Sequence, residues 1–72
     1  MDNQTILKPG DKVHYVPYKG APQSTYENGI VKSLSDFGNA VFVVYHCNGQ
    51  WDNYQGYTAA LTQKVCLRKG WV

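Results

Sequence analysis

The run AVFVVY at residues 40–45, continued by His46 and Cys47, leaves this chain little freedom of fold. It is the longest apolar run present, rich in β-branched and aromatic residues, and bounded by Gly38-Asn39 on one side and Asn48-Gly49 on the other. That is a strand with turns at both ends, and it falls far below the roughly 20 residues needed to cross a bilayer as a helix. Because strand side chains alternate, Val41, Val43 and Tyr45 share one face, and Phe42, Val44 and His46 share the other. Both faces are apolar. If one looks into a core, the other must be covered by a loop, a terminus or a second molecule, which makes Phe42 and Val44 candidates for self-association into a homo-oligomer.

Two more strands are equally legible. GDKVHYVPY lies between a Pro-Gly turn and a proline, and ENGIVKSLSD follows with its own β-formers. YKGAPQSTYEN separates these two, and SDFGN is short enough to be a hairpin turn before the third strand. Asn48-Gly49 suits a type I′ turn, so a fourth strand is expected to return through residues 50–61, most securely at YTAAL. The tail TQKVCLRKGWV predicts one short 3-10 turn, with Thr62 as its cap, before a last strand. No segment keeps a 3.6-residue period over a useful length, and no repeat or linker interrupts the chain. The reading is all-β: a loose N-terminus over residues 1–7, then one five-stranded domain over 8–72.

Five short strands, a long first loop, tight central turns and a helical turn before the last strand resemble the layout of an SH3-like barrel. The residues carrying that likeness are Gly10-Asp11, Val13 and Tyr15 at the opening, then Gly29-Ile30-Val31 at the start of the second strand, as in Tudor, chromo and KOW-type barrels. The chain is also similar to a group of short bacterial and phage proteins that share Tyr45-His46-Cys47, Trp51, Tyr54, Tyr57-Thr58-Ala59-Ala60 and a closing Gly70-Trp71. That likeness brings no activity with it.

At 72 residues the core is small, since a domain of this size buries only about 60% of its unfolded surface. Small domains often add disulfides or a metal. The opening MDNQTILKPGDKV has neither a basic region nor an apolar stretch of signal-peptide length, so a cytoplasmic chain with free thiols is expected. Zinc would have to use His14, His46, Cys47 and Cys66, but no two of these have the close C-x₂₋₄-C type of spacing that structural sites favour. His46 and Cys47 are adjacent, so on a strand they point to opposite faces and cannot share a proton. A pairing of His14 with either cysteine across strands lacks an oxyanion turn and an orienting carboxylate. Gly20, Gly29, Gly38, Gly49 and Gly56 are spread one to a turn, with no phosphate-binding pattern. Neither catalysis, a metal nor a cofactor is therefore expected.

Ten aromatic residues, six Tyr, two Trp and two Phe, exceed what one small core can hide. In Tudor and chromo barrels a ligand sits at one barrel end among rings from the first loop and the loop after strand three. The resemblance thus implies a site of Tyr18, Tyr26, Trp51, Tyr54 and Tyr57, with Asp52 or Asp36 as the acid that an aromatic cage for a cation requires. The first expectation is a binding module that recognises a protein or peptide through this aromatic groove. The alternative is a KOW-like nucleic-acid module, its rings stacking bases while Lys19, Lys32, Lys64, Arg68 and Lys69 neutralise phosphates. A net charge of +2 with scattered bases tips the balance to the first.

Overall fold

A computed structural model describes residues 6–72. Five strands, β1 (Lys12–Tyr15), β2 (Glu27–Leu34), β3 (Ala40–Val44), β4 (Ala60–Gln63) and β5 (Leu67–Lys69), form one antiparallel sheet in the order β4-β3-β2-β1-β5. The first four follow one another as a meander, and β5 returns to pair with β1. No ladder joins β4 to β5, so the sheet is open. Three 3-10 segments complete the described residues: Gln23–Thr25 before β2, Trp51–Gly56 before β4, and Lys64–Cys66 between β4 and β5.

The alternation anticipated on β3 sets the core. Val41 and Val43 are fully buried on the inner face with Val13, Val31, Leu67 and Leu7, while Tyr15 and Tyr45 pack at the margin of this cluster. Leu7, at 4% exposure, corrects the expectation of a loose stretch through residue 7. Ile6 is exposed, and residues 1–5 lie outside the described residues.

The outer face is closed by the chain itself, as one of the alternatives for β3 required. Val44 is 0% exposed, so it is not available as a self-association surface. Its cross-strand partner is Ile30, also buried, which in turn lies opposite Lys12 of β1. Over this region the C-terminal residues are strapped to the sheet. The Trp71 indole N–H donates to the Gly29 carbonyl at 2.8 Å, and His14 Nδ1–H donates to the Gly70 carbonyl at 2.8 Å. The Asn28 side chain both donates to the Val72 carbonyl and accepts from the Val72 N–H, at 3.2 and 3.0 Å. Phe42, farther along the same face, is only half-buried.

Three local expectations are revised. The Asn48-Gly49 turn forms, with φ of 53° and 76° and a Gln50 N–H to Cys47 carbonyl bond of 2.8 Å. It leads, however, into the 3-10 segment Trp51–Gly56, so the fourth strand begins at Ala60 and runs past residue 61 to Gln63. The cause is tertiary: Trp51 turns down to meet Trp71, with ring centroids 4.9 Å apart, instead of alternating along a strand. Thr62 is not a cap, because it lies buried within β4 with its hydroxyl 2.9 Å from that of Tyr45. The 3-10 turn at Lys64–Cys66 starts after Gln63 with no side-chain cap. Gly29 is not in a turn but inside β2, where a Cβ would come within 2.7 Å of Val43 Cγ1 and 3.0 Å of Tyr45 Cδ1.

A bulge falls at Lys32, since the β2–β3 register steps from Val31↔Val43 to Ser33↔Phe42. The extra residue aims its side chain across the outer face. There Lys32 Nζ donates to the Tyr57 carbonyl at 2.8 Å and ties down the chain between the second 3-10 segment and β4.

Candidate functional site

The rings selected from the sequence do not form one groove. Trp51 packs on Trp71, over which Lys12 Nζ stands 4.7 Å from the ring centroid. An aromatic pair of this kind adds about 0.5–1.5 kcal/mol beyond its buried area, and the cation–π contact about 0.5–1 kcal/mol. Tyr54 is half-buried, its hydroxyl 3.5 Å from where a Cβ on Gly10 would stand. Tyr57, also half-buried, directs its hydroxyl to Gln50 Oε1 at 3.4 Å. Tyr26 stacks on His14 with centroids 5.5 Å apart and planes at 20°. Tyr18 stands exposed in the β1–β2 connection, Asp52 is exposed in the second 3-10 segment, and Asp36 is exposed in the β2–β3 turn. Trp51 and Tyr54 thus fold down as a lid on the outer face.

The basic residues are equally dispersed. Lys19 is exposed in the first loop and Lys64 is half-buried in the third 3-10 turn, while Lys32 is bonded to the Tyr57 carbonyl. Arg68 folds back so that Nη1 donates to the carbonyls of Val65 and Leu67, at 2.9 and 3.0 Å. Lys69 lies 3.8 Å from Asp11. Among the described residues no cluster of three or more His, Cys, Asp or Glu side chains stands ready to hold a metal. Cys47 is a buried free thiol and Cys66 a half-buried one. His46, highly exposed, lies 3.5 Å from Glu27.

The structure forms a concave site elsewhere, on the inner face where the sheet fails to close. An open groove of about 410 Å³ lies between β4 and the Lys64–Cys66 turn, lined by Tyr15, Glu27, Tyr45, Cys66 and residues 60–63. Its floor follows from strand geometry. Tyr15 is two residues beyond core Val13 on β1, and Tyr45 two beyond core Val43, so both rings emerge at the same end of the inner face. They meet edge to face, with centroids 6.1 Å apart and planes at 74°. Glu27, paired with Tyr15 across the β1–β2 ladder, brings a carboxylate to the rim.

The polar groups of the groove are ordered. Thr62 Oγ1 lies 2.9 Å from the Tyr45 hydroxyl, where either hydroxyl can donate, and 3.3 Å from the Ala60 carbonyl, to which it can also donate. Burial raises the pKa of Tyr45 above the ordinary 10.0, outweighing the opposing effect of the Thr62 hydroxyl, and Tyr15 and Glu27 reinforce the rise. The Tyr45 phenol is therefore held neutral. Such a surface offers apolar ring faces, hydroxyls and one carboxylate beside a strand edge.

Tyr15, Tyr45, Glu27, Thr62 and Cys66 were not singled out from the sequence as a site. The available signal was the pair of inner-face alternations Val13-Tyr15 and Val43-Tyr45, each ending in a ring with a polar tip. No family model matches the chain, and neither the curated proteins nor the solved structures contain a match to it.

Proposed function

We propose that this protein is a non-catalytic binding module, an SH3-like barrel in outline, that takes an extended segment of a partner protein into the Tyr15–Tyr45 groove. Support for the barrel outline comes from the return of β5 to β1 and from the 3-10 turn placed between β4 and β5. The observation that carries the function is the groove itself: a 410 Å³ concavity floored by two crossed tyrosines. Tyrosines supply contact area at low entropic cost and dominate many interfaces. An apolar or aromatic side chain of the partner would lie on the two rings, and a Lys or Arg next to it would meet Glu27.

Selection from a random-peptide library against the intact chain tests this reading. Selected peptides should pair an apolar residue with a neighbouring base. Tyr15→Ala and Glu27→Gln should each weaken the best of them about tenfold, which is 1.4 kcal/mol, with the circular dichroism spectrum unchanged. Peptides indifferent to both substitutions would remove the groove from consideration.

The nucleic-acid alternative draws less support. Of its five bases, Lys32 is spent on a backbone carbonyl, Arg68 on two carbonyls of its own segment, and Lys69 on Asp11. It predicts an electrophoretic shift of oligonucleotides that weakens steeply with salt.

A further inference from the structure

The two edges of the sheet are not alike, and the difference concerns which of them can accept another strand. Ladder phase can be read from individual bonds. On β5, Cys66 accepts from the Val16 N–H and the Gly70 N–H donates to Lys12, so residues 66, 68 and 70 turn their backbone groups toward β1. Leu67 and Lys69 therefore face outward. That edge is three residues long, and the outward Leu67 carbonyl is already occupied by Arg68 Nη1 at 3.0 Å.

On β4 the Lys64 N–H donates to the Asn39 carbonyl at 2.8 Å, which places residues 60, 62 and 64 toward β3. Leu61 and Gln63 then direct both N–H and C=O outward; the Gln63 C=O also opens the 3-10 turn Lys64–Cys66 as its N-cap, which leaves the Leu61 N–H and C=O and the Gln63 N–H as the groups facing an incoming strand. Among the described residues nothing guards this edge. The stretch TAALTQ at 58–63 has no charge and no proline, the devices by which exposed edges are commonly blunted. Leu61 is 49% exposed and the nearby Phe37 65%. The grooves on the two flanks, one with Tyr15 and Tyr45 and the other with Phe37 and Ala40, share Leu61 and Gln63 as common lining.

We propose that β4 pairs antiparallel with β4 of a second copy, making one ten-stranded sheet across a two-fold axis. Leu61 of each copy exchanges backbone hydrogen bonds with Gln63 of the other, the Gln63 C=O accepting from the second copy with the lone pair that the 3-10 turn leaves free. A second copy fits because the strand is self-complementary in charge: this register sets Lys64 opposite uncharged Ala60, and no like charges face each other. The occupied β5 edge disfavours a head-to-tail array, so the assembly closes at two. A two-fold normal to the sheet puts both inner faces on the same side, and the two Tyr15–Tyr45 grooves then adjoin across the axis. The interface differs from the one expected at Phe42 and Val44, and it borders the Tyr15–Tyr45 groove, with which it shares Leu61 and Gln63.

Sedimentation equilibrium of the intact chain should give twice the 8.1 kDa chain mass. The double variants Leu61→Lys with Gln63→Lys, and Leu61→Glu with Gln63→Glu, place like charges opposite each other and should each be monomeric. Their equimolar mixture should restore a one-to-one dimer. Without any substitution, amide exchange at Leu61 and Gln63 should slow as protein concentration rises. A wild-type monomer at millimolar concentration, a lysine variant that stays dimeric, a mixture that fails to associate, or fast exchange of both amides at every concentration would overturn the proposal.

Discussion

Gly29 illustrates how one residue determines the groove. Its hydrogen in place of a Cβ lets the Tyr45 ring and Val43 close over β2, with Val44 O only 2.8 Å from the point a Cβ would occupy. Gly29→Ala must push the β3 backbone or the Tyr45 ring aside, at a cost of about 1–3 kcal/mol, read as a lower urea midpoint. The sequence placed Gly29 among the turn glycines because Asn-Gly is a turn signal, and the close strand approach that requires it depends on a neighbour 14 or more residues away. Tyr45 carries the pH behaviour. Its folded pKa is raised above 10.0, so its contribution to stability is complete below that value and is lost as pH climbs through the folded pKa. Thermal melts across the alkaline range should show the wild type losing stability more steeply than Tyr45→Phe, which has no proton to lose.

At the level of elements, β1, β2 and β3 were legible because period-two alternation and turn residues act locally. Asn48-Gly49 was legible for the same reason. The segment Trp51–Gly56 was not, because its conformation is decided by Trp71, 20 residues downstream, and by the Lys32 side chain emerging from the bulge in β2. Trp51, a ring that looked displayed, therefore packs on Trp71. Trp51→Ala should destabilise the protein by about 2 kcal/mol, half of what a fully buried Trp costs, with its effect seen in denaturant titration. Lys32→Met, which keeps the apolar stem and removes the donor to the Tyr57 carbonyl, should cost about 1 kcal/mol. A Trp51→Ala variant as stable as wild type would return that ring to the recognition surface.

For the molecule as a whole, the all-β class and the antiparallel order of the first four strands were readable from loop lengths. A last strand after a 3-10 turn was readable from the tail, but its pairing with β1 was not. The gap between β4 and β5 was beyond reach, since whether a sheet closes depends on twist, on the bulge at Lys32 and on the 3-10 turn after Gln63. That gap is where the groove lies, which is why reading the loops for rings led to Trp51 and Tyr54 and not to Tyr15 and Tyr45. The two aromatic groups differ accordingly: the outer-face rings pack on one another, and the inner-face pair floors the groove proposed to recognise a partner.

Amide chemical-shift mapping with the tightest library-selected peptide tests that division most directly. Titration into the isotopically labelled chain should move the resonances of Tyr15, Glu27, Tyr45, Thr62 and Cys66 in a saturable, peptide-dependent way, while those of Tyr26, Trp51 and Trp71 stay in place. Shifts centred on Tyr26, Trp51 and Trp71, with the Tyr15–Tyr45 groove silent, would contradict the account and restore the loop rings as the binding surface.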